Sequence, residues 1–557
     1  MAFMVKEEIA NLIRSAIEAA IADNSLPELV VPEIVVEHSK PEFGDYACSV
    51  ALQMSRAARQ SPTKLADVIK QHIPAHPYIA AVEVAAPGFV NFRLSSEWLA
   101  KQVADIIAAG EDFGNASWGQ GQRVQVEFVS ANPTGPVTIA AARGAAIGDT
   151  LANLLQAVGY SVEREFYVND AGSRMEVFYK NLWYYYQKAL GRNPTPPDPL
   201  YGAAAPIAQQ LAATRPEFLD LPTAEAIVRL GPLGLETVLA AIKQDLAELG
   251  VQYDSWFREQ SLFESGAITR TLDLLRQNGQ VAEKEGAIWF VSTALGQEKD
   301  NVLVRSDAKK SPTYFVSDIA YHYNKFRERG FERVINVWGA DHQGHIPRLK
   351  AALNAIGLNP DDLTIVVMQT VTMRRKKPAR RAGARSAYDV NKVSLREVLD
   401  EVGADSIRYN MVSYAPESPI EFDLDGAVEQ SNDNPVYYVQ YAHARAGSTL
   451  RVAAEKNIDF AQADLSLLAG ADEQALIRQM ALLPEVVDDA ARTLEPQRLP
   501  YYAHELAARF HAFYNNNRVI DESQLPLSQA RLRLVQAVKI TLARTLHLMG
   551  MQAPETL

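Results

Sequence analysis

The chain has 557 residues, 48% of them hydrophobic and 22% charged, which is the composition of a soluble globular protein with roughly three or four domains. Its single cysteine, Cys48, excludes an intrachain disulfide and a cysteine-rich zinc site, and a reducing cytoplasm is the expected location. The net charge of −12 argues against indiscriminate coating of nucleic acid but allows local basic patches to bind one folded RNA. The sequence lacks an apolar run of about 18 residues, and its charged N-terminus predicts an amphipathic helix rather than a signal peptide, so we expect no membrane partner.

The first 115 residues predict a small α+β domain. A helical start leads into residues 41–73, whose apolar residues recur at helical spacing. The alternating segment VEVAAPGFVNFRLS, residues 82–95, then predicts strands. Because helix and strand patterns follow one another within a short stretch, we treat residues 1–115 as one accessory domain.

From Gln122 onward the sequence predicts a strand, a loop, a helix and a second strand. The run 124–130 is rich in β-forming residues and ends at the turn-forming ANPTGP. The following helix carries apolar residues at helical spacing, namely Ile147, Leu151, Leu154, Leu155 and Val158, and Gly159 ends it. The segment SVEREFYV, residues 161–168, is the second strand. Such a βαβ unit opens many nucleotide-binding α/β folds.

The rest of the chain predicts one further α/β half and a helical bundle. Residues 180–285 are mostly helical, and we interpret them as an insertion between two halves of one parallel sheet. Strand patterns return in AIWFVST, NVLVRSD, RVINVWGAD and LTIVVMQTVTM. After about residue 415 the pattern is helical to the end. We therefore expect an α/β catalytic domain at 116–415 and an all-α domain at 416–557.

The strand-to-helix turn at residues 127–144 is the first candidate site. A strand that ends in a Pro/Gly turn at a helix N-terminus presents backbone N–H groups and a positive dipole end, which suits an anion such as a triphosphate. Periodicity alone equally describes a capped helix packed on a sheet, and this interpretation stays open at this point.

Six segments of the sequence, in chain order, resemble the arginyl-tRNA synthetases, a class I group. The first is EFVSANPTGP with the following RGAAIGDTLANLL. The others are EREFYVNDAG, PTYFVSDIAYHYNKF, VINVWGADHQGHIPRLKAAL, LREVLDEVGADSIRYNMV and FDLDGAVEQSNDNPVYYVQYAHAR, with PEFGDYA and APGFVNF near the N-terminus. The resemblance covers nearly the whole chain. It implies a class I catalytic domain between an N-terminal tRNA-contacting domain and a helical anticodon-binding domain.

The chain departs from this family at the first ATP signature. The family carries His-x-Gly-His after the Pro-Thr-Gly-Pro turn, whereas Thr138, Ala140 and Ala141 stand at those positions here. According to the resemblance, the two histidines stabilise charge on the ATP phosphates. The glycine between them, together with Gly135, allows the nucleotide to approach the backbone closely. Losing one preorganised donor costs about 3–4 kcal/mol, or roughly 10²–10³ in rate. We therefore expect impaired adenylate formation.

The second ATP signature, a Lys-Met-Ser-Lys loop in the family, is also absent. The corresponding region can be aligned on Arg381-Ala-Gly-Ala-Arg385 or on Lys377-Pro-Ala-Arg380, and neither recovers the motif. Seven Lys/Arg residues fall within 374–385. This segment is either a cationic loop that closes over phosphates or tRNA, or a solvated loop without a specific partner.

The positions that the resemblance assigns to arginine are better preserved. Tyr314 and Asp318 match the family's arginine-binding pair, in which a carboxylate meets the guanidinium through a bidentate contact. The remaining assignments are substrate side-chain contacts by Glu127 and His342, contacts to its amino and carboxyl ends by Ser130 and Asn132, and adenosine contacts by Gly339 and Asp341. Without the resemblance, Asp318 would be interpreted as a helix N-cap. No metal-binding set is predicted, because His342 and His345 have no third ligand nearby in the pattern.

In the C-terminal bundle, Tyr437, Tyr438, Tyr441 and Arg445 recur at helical spacing. This arrangement is more typical of core packing than of base stacking, although the resemblance allows part of the surface to meet tRNA.

The resemblance implies an arginine–tRNA ligase that uses ATP with Mg²⁺, acts on arginine and tRNA(Arg), and is monomeric. The coincident loss of both signatures also supports a second hypothesis, a paralogue or engineered variant that binds arginine or tRNA without efficient adenylate formation. A weaker third hypothesis is transfer of arginine to another acceptor, which the near-complete C-terminal domain opposes.

Overall fold

The computed structural model describes residues 5–40, 42–308, 310–375 and 393–557. The predicted fold class is confirmed, since a parallel sheet with flanking helices lies between an N-terminal α+β unit and C-terminal helices. Within the described ranges, no helix combines the length and the apolar character needed to cross a membrane.

The N-terminal unit is a four-stranded antiparallel sheet packed with helices. Its elements are α1 (Val5–Ala22), β1 (Val36–His38), β2 (Tyr46–Cys48), α2 (Val50–Ala58), α3 (Pro62–His72), β3 (Ile79–Ala85), β4 (Phe89–Leu94) and α4 (Ser96–Ala109). The strand order is β1-β2-β4-β3. The hairpin β3–β4 corresponds to the alternating segment that predicted strands, and Val90 and Phe92 of β4 are fully buried.

The central α/β region contains most of the strands. Its elements are β5 (Arg123–Glu127), α5 (Ile139–Ala157), β6 (Ser161–Val168), α6 (Ser173–Ala189), α7 (Ala204–Thr214), α8 (Thr223–Glu248), β7 (Ser255–Arg258), α9 (Gln260–Glu264), α10 (Ala267–Gln277), β8 (Val281–Lys284), β9 (Ala287–Phe290), β10 (Asn301–Val304), α11 (Tyr314–Tyr323), β11 (Arg333–Gly339), α12 (Ile346–Ala355), β12 (Leu363–Met368) and β13 (Val371–Arg374). A single π-helical turn, Asn324–Glu328, continues α11.

The five-stranded sheet is parallel and has the order β12-β11-β5-β6-β7. The unit β5–α5–β6 is the βαβ element predicted from the sequence. Two details differ from the expectation. Strand β7 lies inside the stretch interpreted as a helical insertion, yet it forms one edge of the parallel sheet. The segments around β9 and β10 form a separate antiparallel sheet with β8, in the order β10-β9-β8, instead of joining the parallel one. The sequence of a four-residue strand indicates β structure but does not identify the strand with which it pairs.

Helix α5 packs closely against the strand that leads into the candidate site. A side chain at Gly148 would place its Cβ 2.2 Å from the Phe128 ring, so only glycine permits this approach. The predicted apolar positions of α5 are all fully buried. This packing fixes the start of α5 relative to the end of β5.

The C-terminal part is helical. It comprises α13 (Leu395–Val402), α14 (Ala404–Val412), the short β14 (Ile420–Asp423), α15 (Leu424–Ala427), α16 (Pro435–Glu455), α17 (Ala471–Ala481), α18 (Leu483–Thr493), α19 (Arg498–Asn516) and α20 (Leu525–Leu548). Strand β14 pairs with β13 in parallel. Ion pairs join these helices to the N-terminal unit, among them Arg478 Nε to Asp45 Oδ1 at 2.6 Å.

Candidate functional site

The candidate site begins where β5 ends, at the carboxyl edge of the parallel sheet. Glu127 is the last residue of β5 and is buried. The next residues make a tight turn in which Val129 and Ser130 have φ values of 71° and 43°. Ser130 Oγ donates to Glu127 Oε1 at 2.9 Å and accepts from the Tyr167 N–H at 3.2 Å. The turn is therefore tied to both β5 and β6.

A buried lysine occupies the other oxygen of Glu127. Lys325 Nζ lies 2.6 Å from Glu127 Oε2 and 3.1 Å from Asn336 Oδ1, and the lysine side chain has no exposed surface. A buried ammonium is tolerated when it is paired in this way. Both oxygens of Glu127 are thus engaged by neighbouring side chains, although each retains lone pairs for a further donor.

Asp318 and Glu259 are two interacting acidic side chains near Glu127, and the pKa of each is raised. Burial, together with the charges of Glu259 and Glu127, raises the pKa of Asp318 to about 8, and the charges of Arg348 and Lys325 oppose this rise only in part. Burial also raises the pKa of Glu259 to about 7, although Ser317 and Tyr167 lower it as hydrogen-bond partners. In the described part of the chain, Glu259 Oε2 is buried without a hydrogen-bond partner, and Asp318 forms no ion pair within 4.0 Å. Groups in this state favour binding of a cation.

Helix α11 presents the predicted arginine-binding pair. Tyr314 is its first residue and is 46% exposed, and Asp318 lies one turn further on, partly buried. The N-cap position belongs to Thr313, so the pattern-only interpretation of Asp318 as an N-cap is wrong. The helix begins at Tyr314, five residues earlier than that interpretation requires.

The loop between β5 and α5 contains the next two predicted residues. Asn132 Oδ1 is buried and has no hydrogen-bond partner among the described residues. A side chain at Gly135 would place its Cβ 2.9 Å from the Ala203 Cβ, so the turn lies against the segment before α7. An orphaned amide oxygen in a buried loop is the kind of group that a ligand's ammonium can satisfy.

The start of α5 pairs with the segment that follows the basic loop. The Ile139 N–H donates to Val393 O at 3.1 Å, the Leu395 N–H donates to Val137 O at 2.8 Å, and Thr138 forms an antiparallel bridge with Ser394. Thr138, Ala140 and Ala141 are partly exposed, and Thr138 is the N-cap of α5 without a side-chain cap. The two altered signature regions therefore meet at their ends. Arg380, Arg381 and Arg385 lie outside the described residues.

The residues predicted to contact adenosine follow β11. Gly339 ends the strand, and the side chains of Asp341 and His342 are 81% and 56% exposed. His342 Nε2 lies 3.4 Å from Asp341 Oδ2, and its ring lies beside those of Trp338 and His345. The contacts of His342 are therefore with residues at and just after the end of β11, whereas Asp318 interacts with Glu259 and Glu127.

Sequence reasoning missed Glu259, Tyr167 and Lys325. Glu259 directly follows β7 at the carboxyl edge of the sheet, and this place would have marked it if β7 had been assigned to the sheet. Lys325 carries no comparable signal, because only the π-helical turn and the fold bring it to Glu127.

Two protein families match separate parts of the chain. Residues 7–94 match the arginyl tRNA synthetase N terminal domain, and residues 439–557 match the DALR anticodon binding domain. The arginine–tRNA ligase of Dehalococcoides mccartyi strain CBDB1 is 46% identical over 99% of both chains, and that of Moorella thermoacetica is 45% identical over 99% of this chain and 98% of its own. The chain belongs to the arginyl-tRNA synthetase family.

The fold of the family agrees with this assignment. The solved structure of the Thermus thermophilus arginyl-tRNA synthetase superposes with a TM-score of 0.76 over the full length of both chains at 24% identity. This superposition concerns the fold, and the family resemblance seen in the sequence segments is confirmed by the relatives that are 45–46% identical. The residue-by-residue assignments of the pocket stay predictions.

Proposed function

We propose that the chain is an arginine–tRNA ligase with weakened ATP chemistry. It would activate arginine with ATP, release pyrophosphate, and pass the arginyl group to the terminal ribose of tRNA(Arg). The single observation that carries this proposal is the acidic pair Asp318–Glu259 near the carboxyl edge of the sheet, in which Glu259 Oε2 is buried without a hydrogen-bond partner among the described residues. A protein of this kind would act in the cytoplasm as a monomer.

The acidic pair is the proposed partner of the substrate guanidinium. The pKa values of both carboxyl groups are raised, and a planar cation with several N–H donors would bind both of them. Tyr314, at the exposed start of α11, would cover the guanidinium plane. Glu127 would contribute negative charge from one side while its own oxygens hold Lys325 and Ser130.

The turn after β5 is the proposed binding place for the amino and carboxyl ends of arginine. The unsatisfied Asn132 Oδ1 supports a contact with the substrate ammonium. The engaged hydroxyl of Ser130 supports an indirect role, in which it shapes the turn. His342 would approach the substrate only from the exposed end of β11.

ATP would lie between the start of α5 and the end of β11, near Gly135, Ala140, Gly339 and Asp341. The helix N-terminus offers a positive dipole end, but the Ile139 and Ala141 N–H groups already donate to Val393 O and Thr138 O. Within the described ranges, no three His, Cys, Asp or Glu side chains converge on a possible metal position. We therefore expect Mg²⁺ to arrive with the nucleotide, held mainly by its phosphates.

Adenylate formation requires an oxygen of the arginine carboxylate to attack the α-phosphorus of ATP while pyrophosphate leaves. No covalent bond to the protein is needed, so positioning and charge stabilisation supply the catalysis. Thr138 and Ala141 cannot donate as two imidazoles would. The arginines at 380, 381 and 385 are the remaining candidates to offset charge on the leaving phosphates.

The half-buried row of Tyr437, Tyr438, Tyr441 and Arg445 on α16 is the proposed tRNA-contacting surface of the bundle. Tyr437 and Tyr441 stack with their ring centroids 5.8 Å apart, and the Arg445 guanidinium lies 5.1 Å from the Tyr441 ring centroid. Such partly exposed aromatic and cationic groups suit stacking with unpaired bases.

The second candidate function is binding of arginine or tRNA without adenylate formation. It is favoured by the alanines and threonine at the start of α5, which provide no charged or imidazole donor to a triphosphate.

Arginine-dependent ATP–pyrophosphate exchange, with and without tRNA(Arg), tests the two candidates. A ligase with weakened ATP chemistry exchanges slowly, and the triple change Thr138→His, Ala140→Gly, Ala141→His should accelerate exchange by roughly 10²-fold or more. Absence of exchange in both proteins, together with retained tRNA binding in a filter assay, would instead identify a binding protein.

A further inference from the structure

Lys325 is a charged side chain placed where a protein rarely tolerates one. It has no exposed surface, and its ammonium contacts Glu127 Oε2 at 2.6 Å, Asn336 Oδ1 at 3.1 Å and the face of the Tyr321 ring at 4.1 Å from the centroid. Replacing such an ion pair by apolar groups is often neutral for stability, so stability alone is a weak reason to keep it. The function of the site offers a stronger one.

A local departure from α-helical geometry brings Lys325 inside. Helix α11 ends at Tyr323 and continues as the π-helical turn Asn324–Glu328, in which the Arg329 N–H donates to Asn324 O at 2.9 Å. This bond spans five residues, so the turn is wider than in an α-helix. Wide turns of this kind concentrate at functional sites because they redirect a side chain at some cost in backbone energy.

Two neighbours fix the orientation of the Lys325 ammonium. Burial, reinforced by the charge of Lys325, lowers the pKa of His322 to about 3, so its imidazole is neutral. His322 Nδ1 lies 2.7 Å from Asp318 O and therefore carries the proton, which leaves Nε2 to accept from Asn336 Nδ2 at 3.0 Å. This arrangement turns Asn336 Oδ1 toward the lysine.

From Lys325 a chain of contacts leads to the turn of Val129 and Ser130 after β5. Lys325 holds one oxygen of Glu127, the other accepts from Ser130 Oγ, and that hydroxyl accepts from the Tyr167 N–H. The turn so held contains Val129 at φ 71°, an unfavourable conformation for a β-branched residue. Backbone strain of this kind, of order 1–3 kcal/mol, persists only where surrounding contacts enforce it.

We infer that Lys325 is a positioning residue of the amino-acid pocket, which acts through Glu127 to hold the Val129–Ser130 turn in its ligand-binding conformation. The inference rests on the proposed function and extends it to a residue that does not touch the substrate. Lys325 also offsets part of the negative charge of Glu127.

The test is a double-mutant cycle of Lys325→Met and Glu127→Gln in the full chain, with Lys243→Met as the matched control at an exposed lysine over the Trp256 ring. Arginine affinity is measured by calorimetry and ATP affinity separately. We expect each single change at 325 or 127 to weaken arginine binding about tenfold and ATP binding less than twofold, and the double change to cost no more than either single one. Losses that multiply, or equal losses for arginine and ATP, would overturn the inference.

Amide hydrogen exchange of the peptide containing Tyr167 provides a readout that needs no ligand. Lys325→Met should speed exchange at Tyr167 about tenfold because Ser130 Oγ no longer stays in place, and unchanged exchange would refute the inference. If the unmodified chain binds no arginine, the proposed function fails, while this exchange still decides the role of Lys325. If Lys325→Met does not fold, the charge-neutral double variant is compared with Glu127→Gln: equal exchange and affinity support the inference, and a further tenfold loss contradicts it.

Discussion

Two groups of buried carboxyls in this molecule have opposite electrostatics. At the contact between α18 and the N-terminal unit, Glu485 accepts from the Tyr46 hydroxyl at 2.8 Å and lies 3.0 Å from His38 Nε2 and 3.4 Å from Lys6 Nζ. Burial alone would raise the pKa of Glu485, but His38, Lys6 and Tyr46 outweigh it and lower the pKa below its ordinary value. In the pocket, burial and neighbouring charge raise the pKa of Asp318 to about 8 and of Glu259 to about 7.

This difference in pKa distinguishes a carboxylate with a structural role from carboxylates that are available to bind a ligand. The protein itself supplies the cations and hydrogen-bond donors that surround Glu485. The charge of Glu485 therefore helps to join α18 to the N-terminal unit. Among the described residues, Asp318 forms no ion pair within 4.0 Å, and the charges of Arg348 and Lys325 offset the rise of its pKa only in part, so a bound guanidinium would complete the acidic pair. Burial acts on the carboxyl groups at both sites, and the neighbouring side chains decide whether a carboxyl group is structural or can bind a ligand.

The largest expected effect is on arginine binding by Asp318→Asn. Removing one charged partner from a buried guanidinium should cost about 3 kcal/mol, roughly a hundredfold in Kd by calorimetry. Asp341→Asn, at a side chain that is 81% exposed, is the matched control and should change the Kd less than twofold. Equal effects of the two changes would place the guanidinium elsewhere.

The corresponding change at the interface, Glu485→Gln, should lower the free energy of unfolding by about 2 kcal/mol, since three donors lose a charged acceptor. Urea unfolding measures the loss, and the arginine Kd should stay within twofold. A change in arginine affinity without loss of stability would contradict the separation of the two carboxyl groups.

A rise in pH should have opposite effects on the contributions of the pocket carboxyls and of Glu485 to folding stability. Asp318 and Glu259 have raised pKa values, so their contribution to folding is present at low pH and is lost as pH rises through about 7 to 8. Arginine binding requires their ionised forms, and its affinity should rise on the order of tenfold between pH 6 and pH 8. Calorimetry in buffers of different ionisation enthalpy should detect proton release at pH 7, and pH-independent binding would refute the assignment.

Glu485 has a lowered pKa, so its contribution is present above its ordinary value of 4.5 and is lost as pH falls through the lower folded value. Acid unfolding of Glu485→Gln should therefore be shallower below pH 4.5 than that of the unmodified chain. Parallel acid-unfolding curves for the two proteins would show that His38, Lys6 and Tyr46 do not stabilise the ionised form.

The smallest expected effect is that of His38→Gln. The imidazole is 40% exposed, so its ion pair with Glu485 should contribute less than about 1 kcal/mol to stability. Urea unfolding at pH 6 and pH 8 measures it. A loss as large as that of Glu485→Gln would mean that His38 is the main cation of this contact.

The unit β5–α5–β6 and the helical C-terminal part follow from periodicity. Leu151, Leu154 and Leu155 recur on one face of α5, and all three are fully buried. The short strands were harder to assign, because β7 and β9 each have four residues and the same β character but join different sheets. Their pairing depends on distant segments that no local pattern contains.

The residues at the site also fall into those that the sequence indicated and those that only the structure identified. Family resemblance in the sequence indicated Asp318 and the turn after β5, and the residue types themselves record the loss of the histidines at 138 and 141. Glu259 was missed because its strand was not assigned to the sheet. Lys325 was missed because its partner Glu127 lies 198 residues away in the chain.

By itself, the sequence determined the class of fold, the family and the altered ATP signatures, since these depend on residue identity and on spacings of a few residues. Only the tertiary structure decided which buried carboxyls receive a cation from the protein and which do not. The physical reason is that burial and electrostatic interactions act through space, so the pKa of Asp318 depends on Glu259 and Glu127, which no spacing along the chain connects to it.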